Sequence, residues 1–222
     1  MMPPSKMESQ GDNMIQERVS DYVHKRWLKD LGIKSFKGKK VLDLGCGSGF
    51  ICQEAINDEA KLAVGVDIAF PETHSSERGF YFVQMDLEEL WTSEIRQKVP
   101  NIDDGFDLIL AFDIIEHLSS PFNFLADTVS LLRENGKLIV TTPNTNSWER
   151  WLRPHSWSGV RDPQHKILFT KHSLSFLLQK TGLKPVQLKA PVNKLSFLGK
   201  LAPPIGAQLL CQAQKVHKSQ QC

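Results

Sequence analysis

A glycine-rich turn directly after a short apolar run is the feature that most restricts the fold of this chain. Residues 41–49 read VLDLGCGSG, so an apolar, strand-like segment runs into glycines at alternate positions. Glycine adopts backbone angles that are closed to other residues, and it lets a ligand approach the main chain closely. The helix expected to follow would present its free N–H groups to an anionic group. The order strand, glycine turn, helix therefore predicts a ligand-binding turn.

The spacing of the glycines narrows the kind of ligand. Glycines at 45, 47 and 49 follow Asp43, whereas the dinucleotide fingerprint G-x-G-x-x-G would need its third glycine at position 50. This chain has Phe50 there. The spacing disfavours a nicotinamide-dependent enzyme.

Short apolar runs alternate with helical stretches along most of the chain. Strands of a parallel sheet covered on both faces read as near-continuous apolar runs, and helices connect them. The pattern predicts an α/β, Rossmann-like, doubly wound fold. The predicted strands are Lys40–Leu44, Leu62–Val66, Tyr81–Gln84, Phe106–Ala111, Lys137–Thr141, Pro185–Ala190 and Ala207–Ala213, and the predicted helices are Phe50–Asn57, Leu87–Lys98, Pro121–Arg133 and Ser173–Thr181.

The length of 222 residues suits one such domain with modest additions. Residues 1–13 are polar and predict a flexible leader. Apolar side chains recur at helical spacing over residues 14–31, which predicts an N-terminal capping helix within residues 14–35. The domain itself is expected over residues 36–215, with a flexible tail at 216–222.

Composition disfavours several classes of protein. The 27 Lys+Arg and 25 Asp+Glu leave a formal charge of +2, which makes a nucleic-acid partner unlikely without excluding an enzyme that binds one RNA end. Four scattered cysteines indicate neither a disulfide framework nor a cysteine zinc site. The N-terminal residues lack the apolar core of a signal peptide, and no apolar run approaches the roughly 18 residues of a membrane span. We expect a cytoplasmic protein.

The segment 143–170 departs from the strand and helix alternation. It holds Trp148, Trp151 and Trp157 without clear periodicity. A connection of this length in a compact domain is typical of a substrate lid or binding loop. The alternative is a surface loop whose tryptophans pack on the body of the protein.

Acidic residues end the second and third predicted strands. Asp67 follows Gly65-Val66, where a carboxylate can accept hydrogen bonds from both ribose hydroxyls of a nucleoside. Asp86 ends the third strand, beside the place where an adenine amino group would lie. Each acid could instead cap a helix. Together with Asp43, they make three acids in register at successive strand ends.

The ordered set VLDLGCGSG, GVD, MDL and FDLILAFDIIEHL resembles the class I S-adenosylmethionine-dependent methyltransferases, over roughly residues 36–215. The resemblance implies a seven-stranded sheet whose last strand is antiparallel. It also implies that the glycine turn holds the methionine part of the cofactor, Asp67 the ribose and Asp86 the adenine. The cofactor-binding residues expected on this basis are Asp43, Gly45, Cys46, Gly47, Gly49, Asp67, Ile68, Asp86, Leu87 and Phe112.

An acid and histidine cluster follows the fourth predicted strand. Asp113, Glu116 and His117 stand at offsets i, i+3 and i+4, which share one face if a helical turn begins there. His165 lies in the long segment that should return over the same sheet edge. Two carboxylates and two imidazoles could hold magnesium, manganese, zinc or iron. Without a metal, His117 would line the pocket, and His117 or His165 could act as the general base.

This stretch resembles two groups of methyltransferases, the ubiquinone-biosynthesis O-methyltransferases and the small-RNA 3′-terminal 2′-O-methyltransferases. Both carry an acid-x-x-Glu-His element and a later histidine, and in the RNA enzymes those four positions hold a metal. In this chain Asp113 stands where a glutamate is usual.

Methyl transfer from a sulfonium carbon needs no enzyme nucleophile, only positioning and, for a hydroxyl acceptor, removal of a proton. The aromatic side chains of residues 143–170 could enclose a small acceptor. We therefore expect an O-methyltransferase for a phenolic, quinone-like or glycosyl hydroxyl. The alternatives are an RNA 3′-terminal 2′-O-methyltransferase and a non-catalytic accessory protein that binds S-adenosylmethionine.

Overall fold

The computed structural model describes residues 22–69, 79–89, 91–191 and 205–216. The expected leader at 1–13, the first part of the expected capping helix and most of the expected tail lie outside these residues. Residues 22–30 are helical and are called α1.

A seven-stranded sheet forms the centre of the molecule, in the order β3-β2-β1-β4-β5-β7-β6. Adjacent strands pair in parallel from β3 to β5, and β7 is antiparallel to both β5 and β6. The predicted α/β fold with an antiparallel last strand is confirmed. The elements are β1 Lys40–Leu44, α2 Phe50–Asn57, β2 Leu62–Asp67, β3 Phe80–Gln84, α3 Trp91–Lys98, β4 Phe106–Ala111, a 3₁₀ turn Ile115–His117, α4 Pro121–Leu131, β5 Leu132–Pro143, α5 Trp148–Leu152, α6 Ser158–Arg161, α7 Lys171–Lys180, β6 Leu183–Lys189 and β7 Gln208–Lys215.

Two hydrophobic clusters cover the two faces of the sheet. Alternate side chains of β1 enter different clusters, since Val41 packs with α2 and Leu42 packs with α3 and α4. All five residues of β1 are buried. The near-continuous apolar strands in the sequence thus reflect burial on both faces.

Several element boundaries differ from the predicted ones by one or two residues, and the largest differences are at the starts of α3 and β5. α3 begins at Trp91 rather than Leu87 because residues 86–89 form a turn, in which Asp86 Oδ1 accepts the Glu88 N–H at 2.9 Å. β5 begins at Leu132, directly after α4, and the β4–β5 register shifts between Phe106 and Leu108. The early part of β5 is therefore an irregular strand that the sequence pattern did not show.

The segment after β5 leaves the sheet and returns to the same place. Asn144 bridges to Phe169, and the Thr145 N–H donates to the Phe169 carbonyl at 2.9 Å. Between these ends lie α5 and α6, with the Ser147 hydroxyl accepting the Arg150 N–H at the start of α5. The expected loop therefore contains two short helices, and its role as a substrate lid stays a prediction.

The strand order reverses between β1 and β4. In open α/β sheets, ligands bind beyond the carboxyl ends of the strands at such a switch point. The glycine turn after β1 and the acid and histidine cluster after β4 both lie at this edge. In the part of the chain that is described, no helix is long and apolar enough to cross a membrane.

Candidate active site

The glycine turn has the backbone that the sequence predicted. Gly45, Gly47 and Gly49 all have positive φ, at 76°, 52° and 77°. A Cβ added at Gly45 would lie 3.2 Å from Ile114 Cδ1, and one added at Gly49 would lie 3.1 Å from Phe80 Cζ. Both positions combine a left-handed backbone with close neighbours, so glycine is required there.

Asp67 holds the glycine turn to the end of β2. Its Oδ2 accepts the Gly47 N–H at 2.8 Å, and its Oδ1 accepts the Ala69 N–H at 3.1 Å. A carboxylate can accept about four hydrogen bonds, so both oxygens keep capacity for hydroxyl donors. Ile68, beside it, is 66% exposed, which leaves a large apolar side chain at the same strand end.

In contrast to the exposed Ile68, four other expected cofactor residues are buried. They are Asp43, Cys46, Leu87 and Phe112. Cys46 packs against the Gly65 backbone, where an added Cβ would lie 2.8 Å from its Sγ. Burial raises the pKa of the Cys46 thiol above its usual range. Cys46 is therefore a neutral packing residue of the turn and not a nucleophile.

His24 on α1 contacts the site but was not among the residues expected from the sequence. Its ring stacks on Phe112, with centroids 4.5 Å apart and planes 9° apart, and its Nε2 lies 3.7 Å from Asp113 Oδ2. The helical pattern of residues 14–31 placed apolar side chains on the core and gave no signal for the polar His24. Only the packing of α1 over the end of β4 brings it to the site.

The Asp113 carboxylate is near Glu116 and His117 but does not belong to their close group of candidate ligand atoms. Asp113 has a positive φ of 48°, and the 3₁₀ turn begins only at Ile115. Its Oδ1 accepts the Thr141 hydroxyl at 2.8 Å. Because the helical turn starts after Asp113, the offsets i, i+3 and i+4 do not place its carboxylate with Glu116 and His117.

Glu116, His117 and His165 do meet. Among the described residues these three form a group whose candidate ligand atoms all lie within 4.8 Å of one another, and Asp113 is not part of it. The two imidazole centroids are 4.7 Å apart. Three of the four residues expected to hold a metal are thus neighbours, and the fourth faces Thr141 and His24.

Backbone hydrogen bonds explain how His165 reaches His117 from a distant part of the sequence. The N–H groups of Lys166 and Ile167 donate to the Glu116 carbonyl at 2.8 and 3.1 Å. His165 Nδ1 lies 2.9 Å from the Gly159 carbonyl oxygen. Since a carbonyl can only accept, Nδ1 carries the proton, and the Nε2 lone pair is left to a proton or a metal.

Trp157 packs against Gly159, the residue whose carbonyl contacts His165 Nδ1. It is buried, and its ring lies so close to Gly159 that an added Cβ would be 2.0 Å from Trp157 Cη2. Trp151, in contrast, is 81% exposed. Trp157 is therefore buried and Trp151 is not, so neither interpretation of the tryptophans covers both.

The electrostatics of the cluster favour uncharged groups. Burial, followed by the nearby Asp113 carboxylate, raises the pKa of Glu116 to about 8. Burial and then the neighbouring His165 lower the pKa of His117. Both Glu116 oxygens are buried and make no hydrogen bond of normal length in the described residues, and the nearby Thr142 hydroxyl offsets only part of the rise in the Glu116 pKa. Neutral imidazoles are the form that accepts a proton or binds a metal.

Comparison of the sequence and the fold with known proteins shows the family to which the chain belongs. The methyltransferase domain family model matches residues 14–188, most of the chain. The chain belongs to the class I S-adenosylmethionine-dependent methyltransferases. In this methyltransferase the glycine turn and the acid and histidine cluster lie at the same edge of the sheet.

Curated relatives include ubiquinone biosynthesis O-methyltransferases. One from Ruegeria pomeroyi is 28% identical over 205 residues, covering 83% of this chain and 78% of that protein. Another, from Bartonella quintana, is 30% identical over 121 residues, covering 54% of this chain and 47% of that protein. This chain thus spans about half the length of the Bartonella relative.

A solved methyltransferase from Haloferax volcanii, in complex with the Trm112 methyltransferase activator, is similar in fold. Its TM-score is 0.67 at 14% identity, covering 94% of this chain and 96% of that chain. At this identity the likeness supports the fold and nothing finer.

Proposed function

We propose that this methyltransferase transfers the methyl group of S-adenosylmethionine to a hydroxyl oxygen of a small-molecule acceptor. The observation that carries the proposal is the pair of imidazoles, His117 and His165, at the carboxyl end of β4. A hydroxyl acceptor must lose its proton as the oxygen attacks the methyl carbon, and a neutral histidine can take it. The ubiquinone O-methyltransferase relatives support oxygen as the acceptor atom.

The cofactor would lie across the carboxyl ends of β1, β2 and β3. In this placement the glycine turn approaches the methionine part, Asp67 accepts from the ribose hydroxyls, and Asp86 faces the adenine. The free hydrogen-bonding capacity of Asp67 and the exposed Ile68 beside it support the assignment. Phe112 and His24 would flank the methyl group on the side of β4.

The reaction would then be an in-line displacement. The acceptor oxygen forms a bond to the methyl carbon while the carbon–sulfur bond breaks. The electron pair of the carbon–sulfur bond remains on sulfur, which becomes a neutral thioether. The acceptor proton passes to the Nε2 lone pair of His165 or to His117. Holding the two reactants in line is the main contribution of the protein.

As an alternative to the general-base role of the two histidines, a divalent cation fits the same cluster. Glu116, His117 and His165 supply one carboxylate and two imidazoles, and a cation would satisfy the Glu116 oxygens, which make no hydrogen bond within the described part of the chain. Such a cation would lower the pKa of an acceptor hydroxyl. Asp113 does not belong to this ligand set.

A screen with labelled S-adenosylmethionine tests the acceptor class. Candidate quinols, phenols, sugars and RNA ends are each incubated with the protein, and transfer is followed as incorporated label. We expect transfer to a small hydroxyl compound. Transfer to RNA ends alone would contradict a small acceptor, and failure of S-adenosylhomocysteine to bind in calorimetry would contradict the cofactor placement.

The cation is tested separately. Zn²⁺, Mn²⁺ and Mg²⁺ are titrated calorimetrically into chelator-treated wild-type protein and into Glu116→Gln, with Glu134→Gln as an exposed control. We expect binding to the wild type and the control and its loss in Glu116→Gln. Equal binding by all three proteins would place the cation elsewhere.

A further inference from the structure

The side chain of Glu88 joins three separate segments of the chain. Its carboxylate accepts the Ser119 N–H at 2.9 and 3.0 Å, the Ser119 hydroxyl at 3.0 Å and the Lys166 ammonium at 2.6 Å. Lys166 Nζ also donates to the Ser119 hydroxyl oxygen at 2.9 Å. These contacts are called the Glu88 clasp below.

Each segment in the clasp carries a residue of the candidate site. Glu88 lies two residues after Asp86, and the Asp86 carboxylate accepts the Glu88 N–H. Ser119 lies two residues after His117, and Lys166 directly follows His165. The clasp therefore links the turn on the cofactor side to both histidines on the acceptor side.

Beside the Glu88 clasp, a backbone hydrogen bond also joins residues 165–167 to the 3₁₀ turn at Ile115–His117. The Lys166 N–H donates to the Glu116 carbonyl, so the backbone brings residues 165–167 beside the 3₁₀ turn. That attachment does not reach the turn after β3. Among the described residues, the Glu88 carboxylate joins this turn by hydrogen bonds to Ser119 and Lys166. The Lys166 ammonium holds the pKa of Glu88 below its usual range.

We propose that Glu88 is a positioning residue that couples the cofactor turn at Asp86 to the placement of His165, through Lys166 and Ser119. The inference rests on the proposed function, in which Asp86 lies beside the cofactor and His165 beside the acceptor. A ligand that orders the turn at 86–89 fixes Glu88, and the clasp then fixes the segment that carries His165. Such coupling is reciprocal, so order at His165 also favours cofactor binding.

A second ion pair of the same chemistry provides a matched control. Lys98 and Glu94 pair within α3, four residues apart, and their side chains are about as exposed as those of Lys166 and Glu88. This pair links one helix to itself and joins no site segments. Replacing it removes an equivalent surface charge pair and leaves the clasp unchanged.

The test follows the imidazole NMR signals of His165 as S-adenosylhomocysteine is added, with affinity measured by calorimetry on the same samples. Wild type is compared with Lys166→Met, Glu88→Gln and the control Lys98→Met, and thermal unfolding confirms that each variant is folded. We expect S-adenosylhomocysteine to shift the His165 signals in wild type and in Lys98→Met. We expect the shift to fall about threefold in Lys166→Met and Glu88→Gln, with about twofold weaker affinity, as suits a partly exposed ion pair.

The charge-swapped double variant Glu88→Lys with Lys166→Glu separates coupling from simple loss of packing. We expect it to recover part of the His165 response that the single variants lose. If Lys166→Met does not fold, Lys166→Arg and Glu88→Gln carry the comparison, with Arg retaining the response and Gln losing it.

The outcomes distinguish this inference from the proposed function. Wild-type protein that does not bind S-adenosylhomocysteine would contradict the proposed function. Binding without a His165 response, or with an equal response in wild type and Lys166→Met, would overturn the coupling and leave the proposed function intact.

Discussion

The two halves of the sheet edge are built in different ways. The proposed cofactor half consists of the turns after β1, β2 and β3, each close in sequence to the strand that positions it. The proposed acceptor half consists of the turn after β4, the end of β5 and residues 144–170, where Glu116 and His117 meet His165 from a distant segment. The first half depends on backbone conformation, and the second depends on long-range contacts and burial.

This difference predicts different responses to change. Substitutions in the cofactor half should alter binding of S-adenosylhomocysteine through backbone strain. Substitutions in the acceptor half should mainly alter proton chemistry and turnover and should change that binding by about twofold at most.

The largest expected effect concerns Glu116 and pH. Its pKa is about 8 in the folded protein, against a usual value of 4.5, so the folded chain retains this proton while the unfolded chain loses it. The free energy of unfolding should therefore fall as pH rises from about 4.5 to about 8, by up to about 5 kcal/mol. Denaturant titrations of chelator-treated protein would show this fall, and Glu116→Gln should remove it.

Glu134→Gln is the control for this prediction because Glu134 is exposed. It should retain the wild-type pH dependence. A flat stability profile in the wild type over the same pH range would mean that Glu116 ionises normally and that the burial argument is wrong.

The second effect concerns turnover. We expect His117→Gln to lower kcat on the order of 100-fold with the acceptor identified by the screen, because general-base assistance is lost. Affinity for S-adenosylhomocysteine should change little. His155→Gln, an exposed histidine in the 144–170 segment, should retain wild-type kcat. Equal turnover of His117→Gln and wild type would remove His117 from the proton path.

The third effect is on the cofactor half. Gly45→Ala should weaken S-adenosylhomocysteine binding roughly 30-fold, since it combines a strained positive φ with a Cβ at 3.2 Å from Ile114. Gly38→Ala carries the same kind of strain at φ 69° but meets no atom within 4 Å. Calorimetry should show normal affinity for Gly38→Ala. Equal loss in both variants would point to general destabilisation instead of a specific turn.

The smallest expected effect concerns the contact between His24 and Phe112, where the two halves of the sheet edge meet. His24→Ala removes the ring stacked on Phe112, and we expect about threefold weaker S-adenosylhomocysteine binding from the lost aromatic contact. His172→Ala, on the exposed surface of α7, serves as the control. A larger loss than that of Gly45→Ala would show that α1 contributes more to the cofactor site than the glycine turn does.

The sequence predicted the fold and the backbone of the glycine turn closely. Buried strands followed by turns are short-range patterns, so β1, β2 and β4 were located from apolar runs alone, and the glycines at 45, 47 and 49 have the positive φ that was expected. The irregular start of β5 was missed because strand pairing, and not local apolar periodicity, extends it to Leu132.

For the acceptor half, the sequence predicted which residues take part but not how they are arranged in space. The spacing of Asp113, Glu116 and His117 suggested one face, but the left-handed backbone at Asp113 delays the turn and separates the first acid. His24 carried no sequence signal, since its role comes from packing of α1 across the sheet edge.

The sequence by itself determined the order of strands and helices, the glycine turn and the residue types at the strand ends, because these depend on local conformational preferences and on burial patterns a few residues long. Only the tertiary structure decided that His165 lies beside His117, that the Glu116 carboxyl is buried among the described residues and that Glu88 spans three segments. Those facts depend on contacts between residues far apart in the chain, which local periodicity does not encode.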